Sequence, residues 1–361
     1  MEVYTETLIQ EAHQRLDSVT EEIETVYIGG GTPSLLPAGL MEKLLKSLRH
    51  ILPMDHVREF TVEANPGTLT TEWLDVITSC GANRISLGMQ AYQDRILETL
   101  GRIHHYEEVV RAVELCRKKN LDNLNLDLMF GIPGQTEADW LETLEKALSL
   151  TPDHISAYGL IPEPGTEMNE KLEKGEWKLP EPETERQMYE NAISRLGAAG
   201  LRQYEISNFA KEDKACLHNI GYWRQVPYLG LGSAAASMLG ISREDGGISY
   251  HRITNPSGIE EYLALVSRGN ESECEKEWVS PSEARFETMM LALRMNDGIS
   301  EEVFFRMHGM FPEQAFGDKL SRLQELGFLK KENDSWRLTR KGMDFQNQVL
   351  VELMDDSLAS V

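Results

Sequence analysis

Short apolar runs recur along the chain at a spacing of roughly 30 residues, with amphipathic stretches between them. The runs predict strands at 25–28, 59–63, 84–87, 123–130, 154–159 and 203–206. The stretches between them carry the helical period and predict helices at 40–50, 72–79, 106–120, 137–150 and 184–199. Residues 1–19 read as a further helix ahead of the first strand. Strands and helices in strict alternation imply a parallel sheet, either a barrel or an open doubly wound sheet.

The pattern changes after about residue 275. Helices are predicted at 281–295, 301–308 and 312–326, a short hairpin at 328–331 and 336–339, and a last helix from Arg340. Three helices and a hairpin resemble a winged helix. The expected division is 1–210 for the α/β part, 211–275 for a connecting region that carries the motif His218–Trp223, and 276–361 for the winged-helix-like C-terminal part.

Polar residues and glycines cluster where the predicted strands end. The clusters are Gly29-Gly30-Gly31, Glu63-Ala64-Asn65-Pro66, Gly88-Met89-Gln90, Asp127 through Gly134, and Tyr158. In parallel α/β folds ligands bind at the C-terminal edge of the sheet. Five clusters in series point to one shared site.

Composition narrows the function classes. At 41% hydrophobic and 26% charged, the 361 residues suit a globular protein. No window reaches the ~18 apolar residues of a membrane span, and no basic-then-apolar leader opens the chain. A cytoplasmic location is therefore expected. The net charge of −23 repels phosphate backbones, so a nucleic-acid role for the winged-helix-like part is a minor reading. The four cysteines, Cys80, Cys116, Cys216 and Cys274, are tens of residues apart and suggest no disulfide framework.

Individual residues leave alternatives open. Gly29-Gly30-Gly31-Thr32-Pro33-Ser34 is neither a Walker A loop nor a dinucleotide fingerprint. It is either a close backbone approach to a ligand or a plain strand-to-helix turn. Glu63 ends its strand and could bind an amine or a ribose hydroxyl, or simply face solvent. Gln90 and Arg102, twelve positions apart, could bring an amide and a guanidinium to the same mouth, the arginine pairing with a carboxylate. Asp127 lies between Leu126 and Leu128, and a carboxylate in so apolar a strand usually has a partner or a ligand.

A second constellation is His218-Asn219-Ile220-Gly221-Tyr222-Trp223. It combines a metal-capable imidazole, an amide and two aromatics on which a flat ligand could stack. Cys216 is a second soft-ligand candidate. The bland reading is a core histidine beside two packed aromatics. The run Gly230 to Ser237, all small but for Leu231, either admits a bulky flat ligand or lets elements pack closely.

Taken together, "YIGGGTPS", "EANP", "RISLGMQ", "GRIHH", "NLDLMFGIPGQT" and "HNIGYW" resemble the radical S-adenosylmethionine (SAM) proteins of the coproporphyrinogen dehydrogenase type. "HNIGYW" favours the haem-chaperone branch of that family over the true dehydrogenase. The resemblance covers nearly all of 25–354. It implies an α/β fold, a partial (β/α)6 barrel whose first strand is missing here, with a C-terminal winged-helix-like domain.

The resemblance also implies cofactors and partners. SAM would lie against Gly30, Gly31 and Thr32, with Glu63, Gln90, Arg102 and Asp127 contacting the rest of it. Haem would be held by His218, Asn219, Tyr222 and Trp223, with His218 on the iron. No catalytic residue is assigned. An acceptor protein for haem is implied, nucleic acid is not, and peripheral membrane association and a homodimer are left open.

The family's [4Fe–4S] segment, Y-x-H-x-P-F-C-x-x-x-C-x-Y-C, has no counterpart in the sequence. Two explanations compete: a start inside a longer protein, which is favoured, or a relative without the cluster. The dehydrogenase reading, a radical oxidative decarboxylation of coproporphyrinogen III, is the alternative function. SAM cleavage draws its electron from the cluster, so the 361-residue chain is expected to yield no 5′-deoxyadenosine.

Overall fold

The computed structural model describes residues 1–16, 19, 22–52, 54–242, 248–269 and 274–354. They fall into two compact units. One is Thr20–His218 with Met1; the other is Glu2–Val19 with Asn219–Val361.

The first unit holds seven strands: β1 (Thr25–Ile28), β2 (Glu59–Ala64), β3 (Arg84–Gln90), β4 (Leu124–Phe130), β5 (His154–Gly159), β6 (Arg202–Gln203) and β7 (Asn208–Ala210). Their order in the sheet is β1-β2-β3-β4-β5-β7-β6. The first five run parallel. Each is joined to the next through helix, as a parallel crossover requires. Local chemistry marks the helix starts: the Thr70 hydroxyl accepts from Trp73 N–H, and Thr136 forms a capping box with Asp139.

The expected sixth strand at 203–206 keeps only Gln203, the end of β6, and residues 204–207 turn a hairpin instead. Gln203 Nε2 donates to Ile206 O at 2.9 Å, and Ser207 N–H donates to Glu205 at 3.3 Å. The chain therefore reverses, and β7 pairs antiparallel with both β5 and β6.

The two faces of the parallel strands differ sharply. Val62, Ile85, Leu87, Leu126, Leu128 and Ile155 are fully buried and form the core with Leu74, Ile77, Val109, Trp140 and Leu144 of the helices. At ~1.5–3 kcal/mol for each large apolar side chain, this face drives folding of the unit. The alternate positions are Thr25 and Tyr27, Glu59, Thr61 and Glu63, Arg84 and Ser86, Asn125 and Asp127, His154 and Ser156. Period-two alternation puts all of them on the opposite face.

The second unit contains features that were not evident in the sequence. The stretch from 219, expected to be a connection as far as 275, carries an antiparallel sheet of β8 (Ala236–Ser242), β9 (Ile248–Thr254) and β10 (Glu275–Trp278) in the order β10-β9-β8, and a helix Ile259–Arg268. The helix Glu2–Leu16 packs in this unit through a buried carboxylate. Glu11 accepts from Gly232 N at 2.8 Å, Asn255 Nδ2 at 2.7 Å and Tyr262 Oη at 2.8 Å, and pairs with Arg15 at 3.3 Å. The small-residue run 230–237 is thus a seat for that helix. A Cβ on Gly232 would lie 2.9 Å from Tyr4 Oη.

The C-terminal part has helices Pro281–Ala292 and Glu301–His308 as expected, and a sheet of β11 (Ile299–Ser300), β12 (Leu329–Glu332) and β13 (Ser335–Leu338). The single helix expected over 312–326 is broken into Pro312–Phe316 and Asp318–Glu325. Gly317 sits between them with φ +53°. The last helix is likewise two, Arg340–Asp344 and Gln346–Leu353. Among the described residues no helix is long and apolar enough to cross a membrane.

Candidate functional site

The polar face of the first unit is a connected hydrogen-bond network. At its centre Asn125 Nδ2 donates to Ser86 Oγ at 2.7 Å and to Asp127 Oδ1 at 2.8 Å. Its Oδ1 must then accept, from His154 Nδ1 at 2.6 Å and Ser156 Oγ at 3.2 Å. That fixes the tautomer. His154 carries its proton on Nδ1, and Nε2 accepts from Tyr204 Oη at 2.8 Å. Burial and the positive charge of Arg84 hold the His154 pKa well below its usual value, so the ring is neutral.

A second chain of contacts ties the segment ending at His218 to β1 and β2. Glu59, 4% exposed, accepts from Cys216 Sγ at 3.3 Å, Leu217 N at 2.9 Å and His218 N at 3.0 Å. A carboxylate there also complements the start of the helix Leu217–Trp223. The His218 ring bonds Thr25 Oγ1 through Nδ1 at 2.8 Å and stacks on Tyr27, centroids 5.0 Å apart. Burial lowers its pKa, with Glu59 opposing. Cys216 is buried and its thiol serves Glu59, a structural role in place of the ligand role considered from sequence.

At the C-terminal edge the glycines have separate roles. A Cβ on Gly29 would lie 2.6 Å from Tyr27 Cε1 and 2.8 Å from Glu63 Cδ. Gly29 thus makes room for the protein's own side chains. Gly30 and Gly31 have φ +80° and +62°, and no described atom lies within 4 Å of where a Cβ would stand. They present bare backbone. Glu63 accepts from Tyr27 Oη at 2.5 Å and Gly30 N at 3.2 Å, so it holds this loop. Ser34 Oγ accepts from Asn65 N at 3.0 Å and fastens the loop to the end of β2.

Gln90 ends β3 beyond a register shift, with φ +63°, and is buried. A left-handed non-glycine residue at a strand end is strained backbone of the kind that collects at functional sites. Asp127 is bonded by Ser86 Oγ at 2.7 Å as well as by Asn125. Burial raises its pKa against those bonds and the charge of Arg84. Arg102 is exposed on the loop after the helix Asp94–Thr99, and among the described contacts none joins it to Gln90.

The His-Asn-Ile-Gly-Tyr-Trp motif is divided between the units, with His218 in the first and Asn219–Trp223 in the second. Tyr222 meets Tyr228 edge-on at 4.7 Å, and Arg294 lies over the Trp223 ring at 5.4 Å.

Sequence reasoning missed Tyr27, Glu59, Arg84, Asn125 and His154. Their signal was present: strands that the βα pattern buries carry a polar residue at every second position. The clusters of glycine and charge at the strand ends are the stronger pattern.

Residues 2–147 match the Radical SAM superfamily, and residues 279–345 match the HemN C-terminal domain. The chain is 35% identical over 329 residues to the heme chaperone HemW of Bacillus subtilis (strain 168), covering 91% of this chain and 84% of that protein. The chain belongs to the HemW family. The HemW of Escherichia coli (strain K12) is 34% identical, with 91% and 83% coverage. The radical SAM enzyme coproporphyrinogen III oxidase (HemN) from Escherichia coli has the same fold, with a TM-score of 0.80 over 97% of this chain and 82% of that one, at 20% identity.

The α/β radical SAM fold and the HemW family together imply SAM and a [4Fe–4S] cluster. The bare backbone at Gly30 and Gly31 suits an approaching ligand. The cluster fares differently. Among the described residues no group of three His, Cys, Asp or Glu side chains could hold a metal, and all four cysteines are buried and separate. The described residues do not fit the cluster.

Proposed function

We propose that the chain binds haem and hands it to an acceptor protein, with His218 on the iron. The observation that carries this reading is the fixed imidazole of His218 in a member of the HemW family. Thr25 orients the ring through Nδ1, Tyr27 supports its face, and Glu59 anchors its backbone N–H. A lowered pKa keeps the ring neutral near pH 7, the form that coordinates a metal. The Nδ1–Thr25 bond orients the ring, as the second partner of a ligating histidine usually does. Asn219, Tyr222 and Trp223 complete the haem-binding motif.

SAM is assigned to the C-terminal edge of the sheet: Gly30, Gly31 and Thr32 along the methionyl part, with Gln90, Arg102 and Asp127 on the remainder. Glu63 contributes by shaping the glycine loop through Gly30 N. Bound SAM would supply the family's radical precursor.

A haemin titration followed by the Soret band, on wild type and His218→Ala, tests the haem reading. Saturable binding with a shifted band that weakens at least tenfold in the variant is the expected result. Equal binding by the two proteins removes His218 from the site.

A further inference from the structure

In the second unit, two groups that can only donate hydrogen bonds lie together without acceptors. Trp223 Nε1 is buried and has no hydrogen-bond partner among the described residues. Arg294 lies over the same indole at 5.4 Å, and its Nε is likewise buried and unpartnered. Arg294 also pairs with no carboxylate among the described residues, in a chain where 59 acidic residues outnumber 36 basic ones. Arginines in so acidic a protein readily find ion partners; Arg252, for example, holds both Glu277 and Glu287. Burying an N–H without an acceptor costs free energy, and two such groups side by side call for an acceptor from outside.

Hydrogen bonds tie the segment after Trp223 to the C-terminal part. Gln225, 3% exposed and at φ +53°, bonds Thr288 of the helix Pro281–Ala292 through Oε1, while its Nε2 has no partner. His308 Nε2 meets the same Thr288 hydroxyl at 2.9 Å. The stretch just past Trp223 is thereby pinned to the helix that leads to Arg294. A guanidinium stacked on an indole keeps its N–H edges free for a planar bidentate acceptor.

We propose that Trp223 and Arg294 form a carboxylate-binding site that takes a propionate of the bound porphyrin. This rests on the haem reading above. Trp223 ends the helix Leu217–Trp223 that carries the motif, so a porphyrin held by that motif brings carboxylates to the right segment of chain.

The test compares haemin with haemin dimethyl ester, whose propionates are esterified, by Soret titration on wild type, Arg294→Gln and Trp223→Phe. Wild type is expected to bind haemin about tenfold more tightly than the ester, the worth of one charge-assisted pair. Arg294→Gln should bring haemin down to the affinity of the ester and leave the ester unchanged. Trp223→Phe, which keeps a ring and removes the N–H, should lower haemin binding by a smaller factor. Equal affinity of wild type for haemin and ester overturns the site but leaves the haem reading standing. Loss of both ligands in Arg294→Gln, with native circular dichroism, also overturns it, because that marks a packing role. If wild type binds neither porphyrin, the haem reading itself fails, and this site with it.

Discussion

The imidazole of His218 stacks on the ring of Tyr27, with centroids 5.0 Å and planes 22° apart. Tyr27 in turn donates to Glu63 at 2.5 Å. One side chain of β1 therefore serves both the proposed haem ligand and the glycine loop. Burial and the Glu63 carboxylate push the Tyr27 hydroxyl pKa up, so it remains a donor at any working pH. The ring and the hydroxyl are separable. Tyr27→Phe should cost about 1.5–3 kcal/mol in urea unfolding, the loss of one hydrogen bond to a charged acceptor, and leave haemin affinity within about twofold. Tyr27→Ala should weaken haemin roughly tenfold by freeing the imidazole. Equal weakening by the two variants would show that the stack does not orient His218.

The glycine loop makes a second prediction, about neighbouring residues with different reasons to lack a Cβ. Gly29→Ala drives a methyl into Tyr27 and Glu63 and should destabilise by about 2–3 kcal/mol. Gly30→Ala meets no described atom and pays only for a left-handed conformation, about 1 kcal/mol. SAM binding should respond in the reverse sense per unit of stability lost. Gly30→Ala places its methyl where the ligand approaches, and calorimetry should show a loss disproportionate to its small effect on unfolding. An unchanged affinity in Gly30→Ala removes that glycine from the SAM site.

Much of this was legible in the sequence, for physical reasons. Strands 25–28 and 154–159 and the helix Glu301–His308 coincide with the expected ones, because strong periodicity is interrupted there by clear turn residues. The strand ends were legible as clusters of glycine and charge. The reversal at 204–207 was not, because its cause is side-chain bonding by Gln203 and Glu205 that composition does not encode. The sheet β8-β9-β10 was hidden for a related reason. Gly230 to Ser237 reads equally as room for a flat ligand or as a place of close packing until Glu11, more than 200 positions earlier, supplies the acceptor for Gly232 N. Contacts between distant segments are what a one-dimensional pattern lacks.

The network around Asn125 predicts an acid-sensitive fold. His154 has its pKa lowered on folding, by burial first and by Arg84 second. Between its folded value and ~6.5 the unfolded chain binds the extra proton. Its contribution is therefore complete above pH ~6.5 and is lost as pH falls through the lower range. His218 is lowered in the same sense, and burial pushes His308 down to about 4. Asp127, raised by burial, acts in the opposite direction, since the folded protein holds its proton more tightly. The histidines outnumber it, so urea midpoints should fall from pH 7 toward pH 4.5. His154→Gln should lower stability at pH 7 by about 1–3 kcal/mol, the cost of a buried pair of hydrogen bonds. It should also flatten the pH slope by up to ~1.4 kcal/mol per unit. An unaltered slope in that variant means that His154 does not titrate on unfolding.

Glu11 anchors the helix Glu2–Leu16 in the second unit, and its replacement isolates what a buried ion pair does there. Glu11 is 2% exposed and Arg15 8%, and Arg15 also donates to Gly230 O at 3.0 Å and Ser237 Oγ at 3.1 Å. Glu11→Ala takes the Glu11 carboxylate from that buried guanidinium and strips acceptors from Gly232, Asn255 and Tyr262. The expected cost is about 3–5 kcal/mol. Removing both charges with apolar side chains of similar size, Glu11→Leu with Arg15→Met, should recover part of it, because no uncompensated charge then remains. Recovery should be incomplete, since the Gly232 amide and Tyr262 hydroxyl still lack an acceptor. Hydrogen exchange locates the damage: in Glu11→Ala the amides of β8 and of the helix Ile259–Arg268 should lose protection, while those of β2, β3 and β4 keep theirs. Faster exchange throughout β2–β4 would mean that the carboxylate supports more than its own unit.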